Sequence, residues 1–288
     1  MPRNPDRHSL IAPAKLNLYL HVTGRRGSYH LIESLAVFTQ FGDRLEVSEG
    51  ADISLQVEGP FAAECGPLEN NLVLRAAQAL AALAPQPVGA MLKLQKFLPA
   101  ASGMGGGSSD AAAALRLLIP FWKLHIDDIT LDNLALRLGA DVPVCLRRRP
   151  TLVSGIGDAL RDAPQLPPCY VLLVNPRIPL ATQAVFERLD GQFGMAARPL
   201  PPRIANVKKL ARILNVHRND LQNPAMALAP EIGIVLELLS KLHGCLLARM
   251  SGSGATCFAL FAQADEMGAA AQAVTAHHPE YWIAQTRF

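Results

Sequence analysis

The residue types between Gly103 and Asp110 point to phosphate binding. Four of the five residues from Gly103 to Gly107 are glycine, and Ser108 and Ser109 follow directly. Glycine lets backbone N–H groups approach a ligand closely, and the start of a helix adds unpaired N–H groups and the positive end of the helix dipole. Such a segment makes an anion site, and the serine hydroxyls could contact phosphate oxygens or a magnesium ion. The simpler alternative is a strand-to-helix turn capped by serine, but such a turn needs one or two glycines rather than four.

Residues 99–109, here named the glycine loop, differ from two common nucleotide-binding patterns. The P-loop has lysine after its last glycine, where this chain has Ser108. The dinucleotide fingerprint G-x-G-x-x-G, started at Gly103, also ends on Ser108 instead of glycine. The protein-kinase signatures are absent from the sequence. A hydride-transferring dinucleotide enzyme is therefore disfavoured.

A second loop of glycine and serine, residues 251–256, reads Ser-Gly-Ser-Gly-Ala-Thr between two apolar segments. By itself it is typical of a hairpin turn, and with the glycine loop it could form the other side of a phosphate site. Asp141 follows Gly139 and precedes Pro143, which predicts a short constrained loop of the kind in which functional carboxylates often lie. A surface or capping carboxylate is the simpler interpretation of Asp141.

Lys15 and the pair Tyr29-His30 are further candidates. Lys15 interrupts an otherwise apolar opening strand, although a lysine is common on edge strands. Tyr29-His30 offers an aromatic face and a hydrogen-bonding ring, or is simply a loop anchor.

The spacing of apolar residues predicts the elements that position these candidates. Strands are predicted at residues 15–23, 44–48, 53–57, 91–98, 170–175, 246–250, 256–261 and 281–286. Helices are predicted at residues 72–83 with Asn71 as N-cap, 111–118, 131–138 ending at Gly139, 204–214, 232–242 and 265–276. The mixture predicts an α+β protein of two domains, residues 1–162 and 163–288, divided at the proline-rich stretch 162–168. The second domain has the pattern of a ferredoxin-like fold.

The composition indicates a folded cytoplasmic protein. Of 288 residues, 50% are apolar and 18% are charged, and the net charge is +3, without the long basic run expected of a nucleic-acid-binding protein. No stretch approaches the roughly 18 apolar residues of a membrane span, and the start resembles no signal peptide. The five cysteines form no C-x-x-C pair, so we expect reduced thiols and no metal ligands.

Three segments occur together and in order: Pro-Ala-Lys-Leu-Asn-Leu at 13–18, Pro-Ala-Ala-Ser-Gly-Met-Gly-Gly-Gly-Ser-Ser-Asp at 99–110, and the second loop at 251–256. This combination resembles the three-motif signature of the GHMP kinase superfamily. The triple glycine, Tyr29-His30 and residues 139–143 resemble most closely the members that act on a cytidine diphosphate-linked methylerythritol. The resemblance implies a two-domain fold, with an N-terminal βαβ phosphate-loop domain and a ferredoxin-like C-terminal domain. It also implies phosphorylation of the substrate's 2-hydroxyl by ATP with Mg²⁺, in non-mevalonate isoprenoid biosynthesis.

The resemblance also implies roles for individual residues. The catalytic residues are Lys15, as charge stabiliser, and Asp141, as base. The ATP-binding residues are Asn71, Lys96, Pro99, Ala100, Ala101, Ser102, Gly103, Met104, Gly105, Gly106, Gly107, Ser108 and Ser109. The substrate-binding residues are Asn17, Tyr29, His30, Ser253 and Gly254. The loop before Tyr29 is one residue shorter than usual in the family, which affects the placement of His30.

The expected partner is a small-molecule substrate, with no nucleic acid and no membrane, and the protein is expected to be a monomer or homodimer. Two alternatives stay open. One is another GHMP-type small-molecule kinase of the homoserine or mevalonate class, whose substrates have no base for Tyr29-His30 to contact. The other is a non-catalytic nucleotide-binding regulator of the same fold, which the joint presence of Lys15 and Asp141 disfavours.

Overall fold

The computed structural model describes residues 8–189, 191 and 193–288, and they form two compact units. The first unit contains residues 8–14, Gly42–Ala100 and Gly105–Arg148, and the second contains Lys15–Phe41, Ala101–Met104 and Arg149–Phe288. No single boundary along the sequence separates the two units, because residues 15–41 and 101–104 cluster with residues 149–288. The predicted domains 1–162 and 163–288 stay a prediction, and the units follow a different division.

Strands and helices follow one another mostly in groups of two to four along the described chain. The strands are β1 (His8–Arg26), β2 (Tyr29–Ser48), β3 (Ile53–Glu58), β4 (Ala90–Gln95), β5 (Thr151–Gly155), β6 (Ala159–Asp162), β7 (Tyr170–Asn175), β8 (Leu247–Met250), β9 (Cys257–Phe261) and β10 (Trp282–Arg287). The helices are α1 (Leu72–Ala81), α2 (Gly106–Phe121), α3 (Asp128–Leu138), α4 (Val142–Arg147), α5 (Thr182–Glu187), α6 (Val207–Asn215), α7 (Gln222–Leu228), α8 (Glu231–Lys241) and α9 (Ala264–His277). Short 3₁₀ turns lie at Ala62–Cys65 and Leu68–Asn70. No helix among these described residues is both long enough and apolar enough to cross a bilayer.

The first unit contains the predicted βαβ arrangement. Strands β3 and β4 are parallel and α1 connects them, while residues 44–48 of β2 pair antiparallel with β4. Alternate residues of β4, such as Leu92 and Leu94, are buried, and α1 packs against α2 and α3. Burial of one face of each strand is what the period-two pattern predicts.

Helix α1 begins where the sequence predicts. Asn71 adopts an extended conformation and its side-chain oxygen accepts the N–H of Val73, which confirms it as the N-cap. Helix α2 begins five residues earlier than predicted, at Gly106, directly after Gly105, whose φ of 62° lies in the left-handed region. The sequence pattern places the start too late because glycine is a poor helix former.

The second unit contains the predicted ferredoxin-like sheet. Its strand order is β10-β7-β9-β8, and all neighbours are antiparallel. When these four strands are numbered by their order in the sequence, the order across the sheet is 4-1-3-2. Helices α8 and α9 pack on this sheet, and α5, α6 and α7 enlarge the connection from β7 to β8. The α+β fold class is therefore confirmed.

The proline-rich stretch 162–168 is not a boundary between the compact units. Strand β5 pairs antiparallel with residues 32–36 of β2 and also with β6, which ends at Asp162. Residues before and after the prolines therefore belong to the same unit. The prolines connect β6 to β7 within it.

Substitution of Asn71 by alanine removes the side-chain cap of α1 and leaves the N–H of Val73 without this acceptor. We expect the free energy of unfolding to fall by about 1 kcal/mol, the usual effect of losing an N-cap. Urea unfolding measures it. Asn70→Ala, an exposed neighbour in the preceding 3₁₀ turn, is the matched control. Equal effects of the two substitutions would contradict the capping role.

Candidate functional site

The structure explains why glycine is needed at one of the three positions at the start of α2 but not at the other two. Gly105 needs to be glycine because its φ is positive. A Cβ on Gly106 would lie no closer than 3.5 Å to any neighbour, and one on Gly107 no closer than 3.7 Å. Both are ordinary contacts, so neither the backbone conformation nor packing requires glycine at these two positions. Glycine is also a poorer helix former than alanine, so helix formation does not explain glycine at these two positions either.

Two buried oxygen atoms lie next to these glycines. Ser109 and Asp110 are both 2% exposed. Within the described part of the chain, Ser109 Oγ and Asp110 Oδ1 have no hydrogen-bond partner. An unsatisfied buried oxygen is costly, and hydroxyl and carboxylate oxygens are the ligand types that magnesium takes. The residues at the start of α2 therefore fit a magnesium ion that arrives with a phosphate ligand.

A buried ion cluster, formed by Lys96, Asp43 and Asp110, lies in the first unit. Lys96 Nζ donates to Asp43 Oδ2 at 2.5 Å and to Asp110 Oδ2 at 2.7 Å. Burial raises the pKa of Asp110, and the attraction of Lys96 offsets only part of this effect. Burial by itself would lower the pKa of Lys96, but Asp110 and Asp43 together raise it above its ordinary value. Lys96 thus keeps its charge inside the unit.

The sequence contains no local sign of this cluster. Asp43 is far along the chain from Lys96, and neither Asp43 nor Asp110 is among the predicted site residues. Lys96 is predicted near the adenosine part of ATP, and this stays a prediction. The structure shows its ammonium engaged with two carboxylates.

The first unit also holds Asn71 and Asp141. The side-chain oxygen of Asn71 is used in capping α1. Asp141 stands at the N-cap position of α4, half-buried, and its side chain makes no capping bond to that helix. Asp141 therefore lies in a short turn after Gly139, as predicted, while the capping interpretation is wrong. Of the loop residues, Ala100 donates its N–H to Glu64 Oε2 at 3.0 Å.

In the second unit, one serine joins three segments of the predicted site. The hydroxyl of the fully buried Ser251 accepts the N–H of Asn17 at 3.2 Å and donates to the carbonyl of Gly103 at 3.0 Å. The N–H of Thr256 donates to the carbonyl of Ser102, and the N–H of Lys15 donates to the carbonyl of Met104. Residues 101–104 are therefore bound to β1 and to the loop at 251–256.

The loop at 251–256 is a hairpin turn, as its sequence indicates. It connects the antiparallel strands β8 and β9, and Ser251 and Thr256 are joined by a backbone hydrogen bond. Gly254 has a φ of 88°, and Ser253 Oγ lies 2.8 Å from Thr182 Oγ1. The hairpin is thus hydrogen-bonded to the first residue of α5.

Asn17 and Lys15 are buried on β1. Lys15 is 5% exposed, so it is not the solvated edge lysine of the simpler interpretation. Asn17 Nδ2 donates to Ser34 Oγ at 2.7 Å, and Ser34 donates to the carbonyl of Tyr19. Asn17 Oδ1 is buried without a hydrogen-bond partner among the residues described. A fixed amide with one unused acceptor is suited to receive a hydroxyl or amine of a ligand.

Tyr29 and His30 lie at the start of β2. Tyr29 is 63% exposed, whereas the ring of His30 packs 4.8 Å from that of Phe186 on α5 and 6.3 Å from that of Phe193. Burial, with Arg25 adding to it, lowers the pKa of His30, so the ring is neutral at pH 7. A neutral imidazole both donates and accepts a hydrogen bond. Phe186 and Phe193 belong to no motif, and no sequence signal pairs them with His30.

The predicted residues are distributed over both units. The first unit contains Asn71, Lys96, Pro99, Ala100, Gly105, Gly106, Gly107, Ser108, Ser109 and Asp141. The second contains Lys15, Asn17, Tyr29, His30, Ala101, Ser102, Gly103, Met104, Ser253 and Gly254. The structure brings Lys15, Asn17, residues 102–104 and the hairpin together through the hydrogen bonds given above.

Comparison with known proteins identifies related sequences and folds. Two family models match the chain: the GHMP kinases N terminal domain over residues 71–149 and the GHMP kinases C terminal model over residues 185–280. A 4-diphosphocytidyl-2-C-methyl-D-erythritol kinase from Paramagnetospirillum magneticum is 49% identical over 279 residues, covering 96% of both chains. The kinase of the same name from Hyphomonas neptunium is 48% identical over 287 residues, covering 96% of this chain and 95% of its own.

Comparison with solved structures also finds kinases with a similar fold. A crystal structure of 4-(cytidine 5'-diphospho)-2C-methyl-D-erythritol kinase has a TM-score of 0.79 at 32% identity, over 97% of this chain and 99% of the other. A homoserine kinase from Cytophaga hutchinsonii has a TM-score of 0.69 at 16% identity, over 99% of this chain and 96% of the other. At that low identity the second likeness shows a shared fold alone.

Substitution of Gly103 by alanine tests the packing of the glycine loop on the hairpin. The new Cβ would lie 2.3 Å from the carbonyl oxygen of Ser251, and the φ of 75° is strained for alanine. Gly27→Ala is the matched control, because Gly27 has a φ of 61° with nothing within 4 Å of its Cβ position. Urea unfolding should show a loss of about 1–2 kcal/mol for the control and a larger loss for Gly103→Ala. Equal losses would show that the close approach does not matter.

Proposed function

This chain belongs to the GHMP kinases and, within them, to the family of 4-diphosphocytidyl-2-C-methyl-D-erythritol kinases, and on that premise we propose its reaction. It transfers the γ-phosphoryl group of ATP to the 2-hydroxyl of 4-diphosphocytidyl-2-C-methyl-D-erythritol, a step of non-mevalonate isoprenoid biosynthesis. The relatives at 48–49% identity over nearly the whole chain support this assignment.

The observation that carries the proposal is the start of α2. Gly106 and Gly107 occupy the first turn, where neither conformation nor packing of the chain requires glycine. A phosphate group that approaches the N–H groups of this turn explains the absence of side chains, because a Cβ would occupy part of its space. The remaining residues 99–105 and Ser108 complete the proposed loop around the triphosphate.

Two residues are proposed to act on the reacting atoms. Phosphoryl transfer depends mainly on positioning and on stabilisation of charge. Asp141, whose side chain does not cap α4, accepts the proton of the attacking hydroxyl as base. Lys15 lies on β1, its backbone N–H donates to the carbonyl of Met104, and its side chain stabilises charge on the transferring phosphoryl group.

Magnesium is proposed to enter with ATP. When bound, it neutralises part of the charge of the triphosphate. Ser109 Oγ is the protein oxygen that we assign to it, because this buried hydroxyl has no hydrogen-bond partner among the described residues. The adenosine part is assigned to the neighbourhood of Asn71 and Lys96, as the family resemblance implies.

The cytidine part of the substrate is assigned to residues of the second unit. The exposed ring of Tyr29 can stack on a base, and the neutral His30, supported by Phe186, can hydrogen-bond to its edge. Asn17 Oδ1 can accept a substrate hydroxyl, and Ser253 and Gly254 contribute from the hairpin. The protein is proposed to work in the cytoplasm on small molecules, as a monomer or homodimer, without nucleic acid or membrane.

Substitution of Asp141 by asparagine should lower kcat about 10²–10⁴-fold, the usual contribution of a positioned base. The affinity for ATP should change little, because asparagine preserves the shape of the side chain. Steady-state kinetics and ATP calorimetry measure the two effects. Asp132→Asn, on the exposed side of α3, is the matched control and should behave as wild type. Wild-type turnover by Asp141→Asn would remove Asp141 from the mechanism.

ATP consumption with three alcohols tests the substrate. We expect stimulation by 4-diphosphocytidyl-2-C-methyl-D-erythritol and none by homoserine or mevalonate. Tyr29→Ala should raise the KM for the cytidyl substrate, because stacking on a base is worth about 1–3 kcal/mol, and leave the KM for ATP unchanged. Tyr281→Ala, from the segment between α9 and β10, is the aromatic control. Stimulation by homoserine or mevalonate alone would replace the cytidyl assignment by one of those kinase classes.

A further inference from the structure

We propose that Arg25 binds the phosphate attached to cytidine in the substrate's diphosphate group, which makes it a further substrate-binding residue of the second unit. The inference rests on the proposed function, because it takes the cytosine base to lie against His30. It assigns a role to one of two adjacent arginines, Arg25, and none to the other, Arg26.

The hairpin of β1 and β2 places Arg25 next to His30. A two-residue turn at 27–28 joins the strands. Counted outward from this turn, the second residues on each side are Arg25 and His30, so they stand opposite each other and share one face. The next pair supports this register, because a Cβ on Gly24 would lie 3.7 Å from Leu31 Cδ1. Opposite residues have Cβ atoms about 5 Å apart, so the long side chain of Arg25 can reach the surroundings of a ligand that contacts the His30 ring.

The charge of Arg25 acts on His30. Burial is the larger cause of the lowered pKa of His30, and the positive charge of Arg25 adds to it. A nearby cation disfavours a second positive charge in this way. Arg25 therefore helps to keep the imidazole in the neutral form, which can both donate and accept a hydrogen bond to a base. It also places a positive charge beside that base.

The two adjacent arginines differ in their partners. The side chain of Arg25 is exposed, and within the described part of the chain no group forms an ion pair or a hydrogen bond with it. Arg26 lies on the opposite face of its strand, and its guanidinium is 3.9 Å from Asp158 Oδ2.

A positive charge without a carboxylate partner suits the phosphate that accompanies the base. It attracts an anion, and a guanidinium can bind two phosphate oxygens at once. In a cytidine nucleotide the first phosphate is separated from the base only by the ribose. Of the two arginines, Arg25 thus has both the placement beside His30 and the free charge that such a contact needs.

Two simpler roles for Arg25 lead to different expectations. If it were only a solvated surface residue, its removal would change no ligand affinity. If it acted only by keeping His30 neutral and in place, its removal would weaken binding of the base itself, so cytidine without phosphate would be affected as much as its phosphates. Direct contact with phosphate predicts a loss that is confined to the phosphorylated ligands.

The test compares Arg25→Gln and Arg25→Lys with Arg26→Gln. Arg26→Gln is the matched control, because it makes the same change of charge at the adjacent exposed position. Calorimetry measures the binding of cytidine, cytidine monophosphate and cytidine diphosphate at low and high salt, with magnesium ADP present to occupy the ATP site. Steady-state kinetics give the KM for the cytidyl substrate and for ATP. An NMR titration gives the pKa of His30 without any ligand.

We expect Arg25→Gln to bind both cytidine phosphates about tenfold more weakly, the usual effect of losing a hydrogen bond to a charged group, and to bind cytidine as wild type does. The loss should shrink at high salt, which screens exposed charges. The KM for the cytidyl substrate should rise by a similar factor, and the KM for ATP should stay unchanged. Arg25→Lys should restore part of the affinity, because lysine keeps the charge but not the planar fork.

The NMR titration checks the placement independently of any ligand. The pKa of His30 should rise in Arg25→Gln, because the neighbouring positive charge is removed, and should not change in Arg26→Gln. An unchanged pKa of His30 in Arg25→Gln would show that Arg25 does not lie beside the ring and would overturn the inference.

The binding data separate the remaining outcomes. Equal weakening of cytidine and its phosphates by Arg25→Gln would overturn the inference in favour of a positioning role. Wild-type affinity of Arg25→Gln for the phosphates, or an equal loss in Arg26→Gln, would also overturn it. If the wild-type protein bound none of the three cytidine ligands, the proposed cytidyl substrate would be disproved and the inference with it. Binding of cytidine without the loss expected in Arg25→Gln would instead leave the proposed function standing.

Discussion

The close approach of two backbone segments at Gly103 is the constraint on which the candidate site of the second unit depends. A Cβ at this residue would lie 2.3 Å from the carbonyl oxygen of Ser251 and 2.8 Å from the nitrogen of Gly254. The hydroxyl of Ser251 then binds the Gly103 carbonyl and the Asn17 N–H. One missing side chain and one buried hydroxyl together determine how β1, residues 101–104 and the hairpin are spaced. The positions of Lys15 and Asn17 follow from that spacing.

In the first unit, a buried ion cluster rather than a close backbone contact fixes the spacing of the segments. Its cluster of one ammonium and two carboxylates binds the residues on both sides of the glycine loop, and two glycines in the first turn of α2 lower the intrinsic helix stability there. Both features reduce stability relative to an alanine-rich turn over an apolar core. Proteins accept such local losses where geometry serves a ligand, and other parts of the chain compensate for them. Here the fully buried leucines of α2, Leu115 and Leu118, supply part of that compensation.

Local sequence signals account for the parts of the structure that depend on neighbouring residues. The Asn71 cap and the hairpin at 251–256 are recognisable because their hydrogen bonds lie within a few residues. The strand at residues 170–175 is recognisable for another reason, because it is a short, continuous apolar run, although its pairing partners β9 and β10 are distant in the chain. The contacts of Asp43 with Lys96 and of His30 with Phe186 join distant residues, and no short-range pattern marks them. Helix α4 has six residues, too few for a periodicity to show. The family resemblance names site residues that spacing could not, but it does not describe what surrounds them.

The distribution of β1 and β2 between the two units has a consequence for synthesis on the ribosome. Residues 15–41 belong to the same compact unit as residues 149–288, and most of the first unit separates them along the chain. Domains generally fold as units in the order in which they emerge, but this unit cannot be completed until its last strand, β10, has been translated. Its earliest strands therefore emerge long before the four-stranded sheet exists. During that interval β1 and β2 have only each other as pairing partners within that unit, so the β1–β2 hairpin is the part of it that can form first.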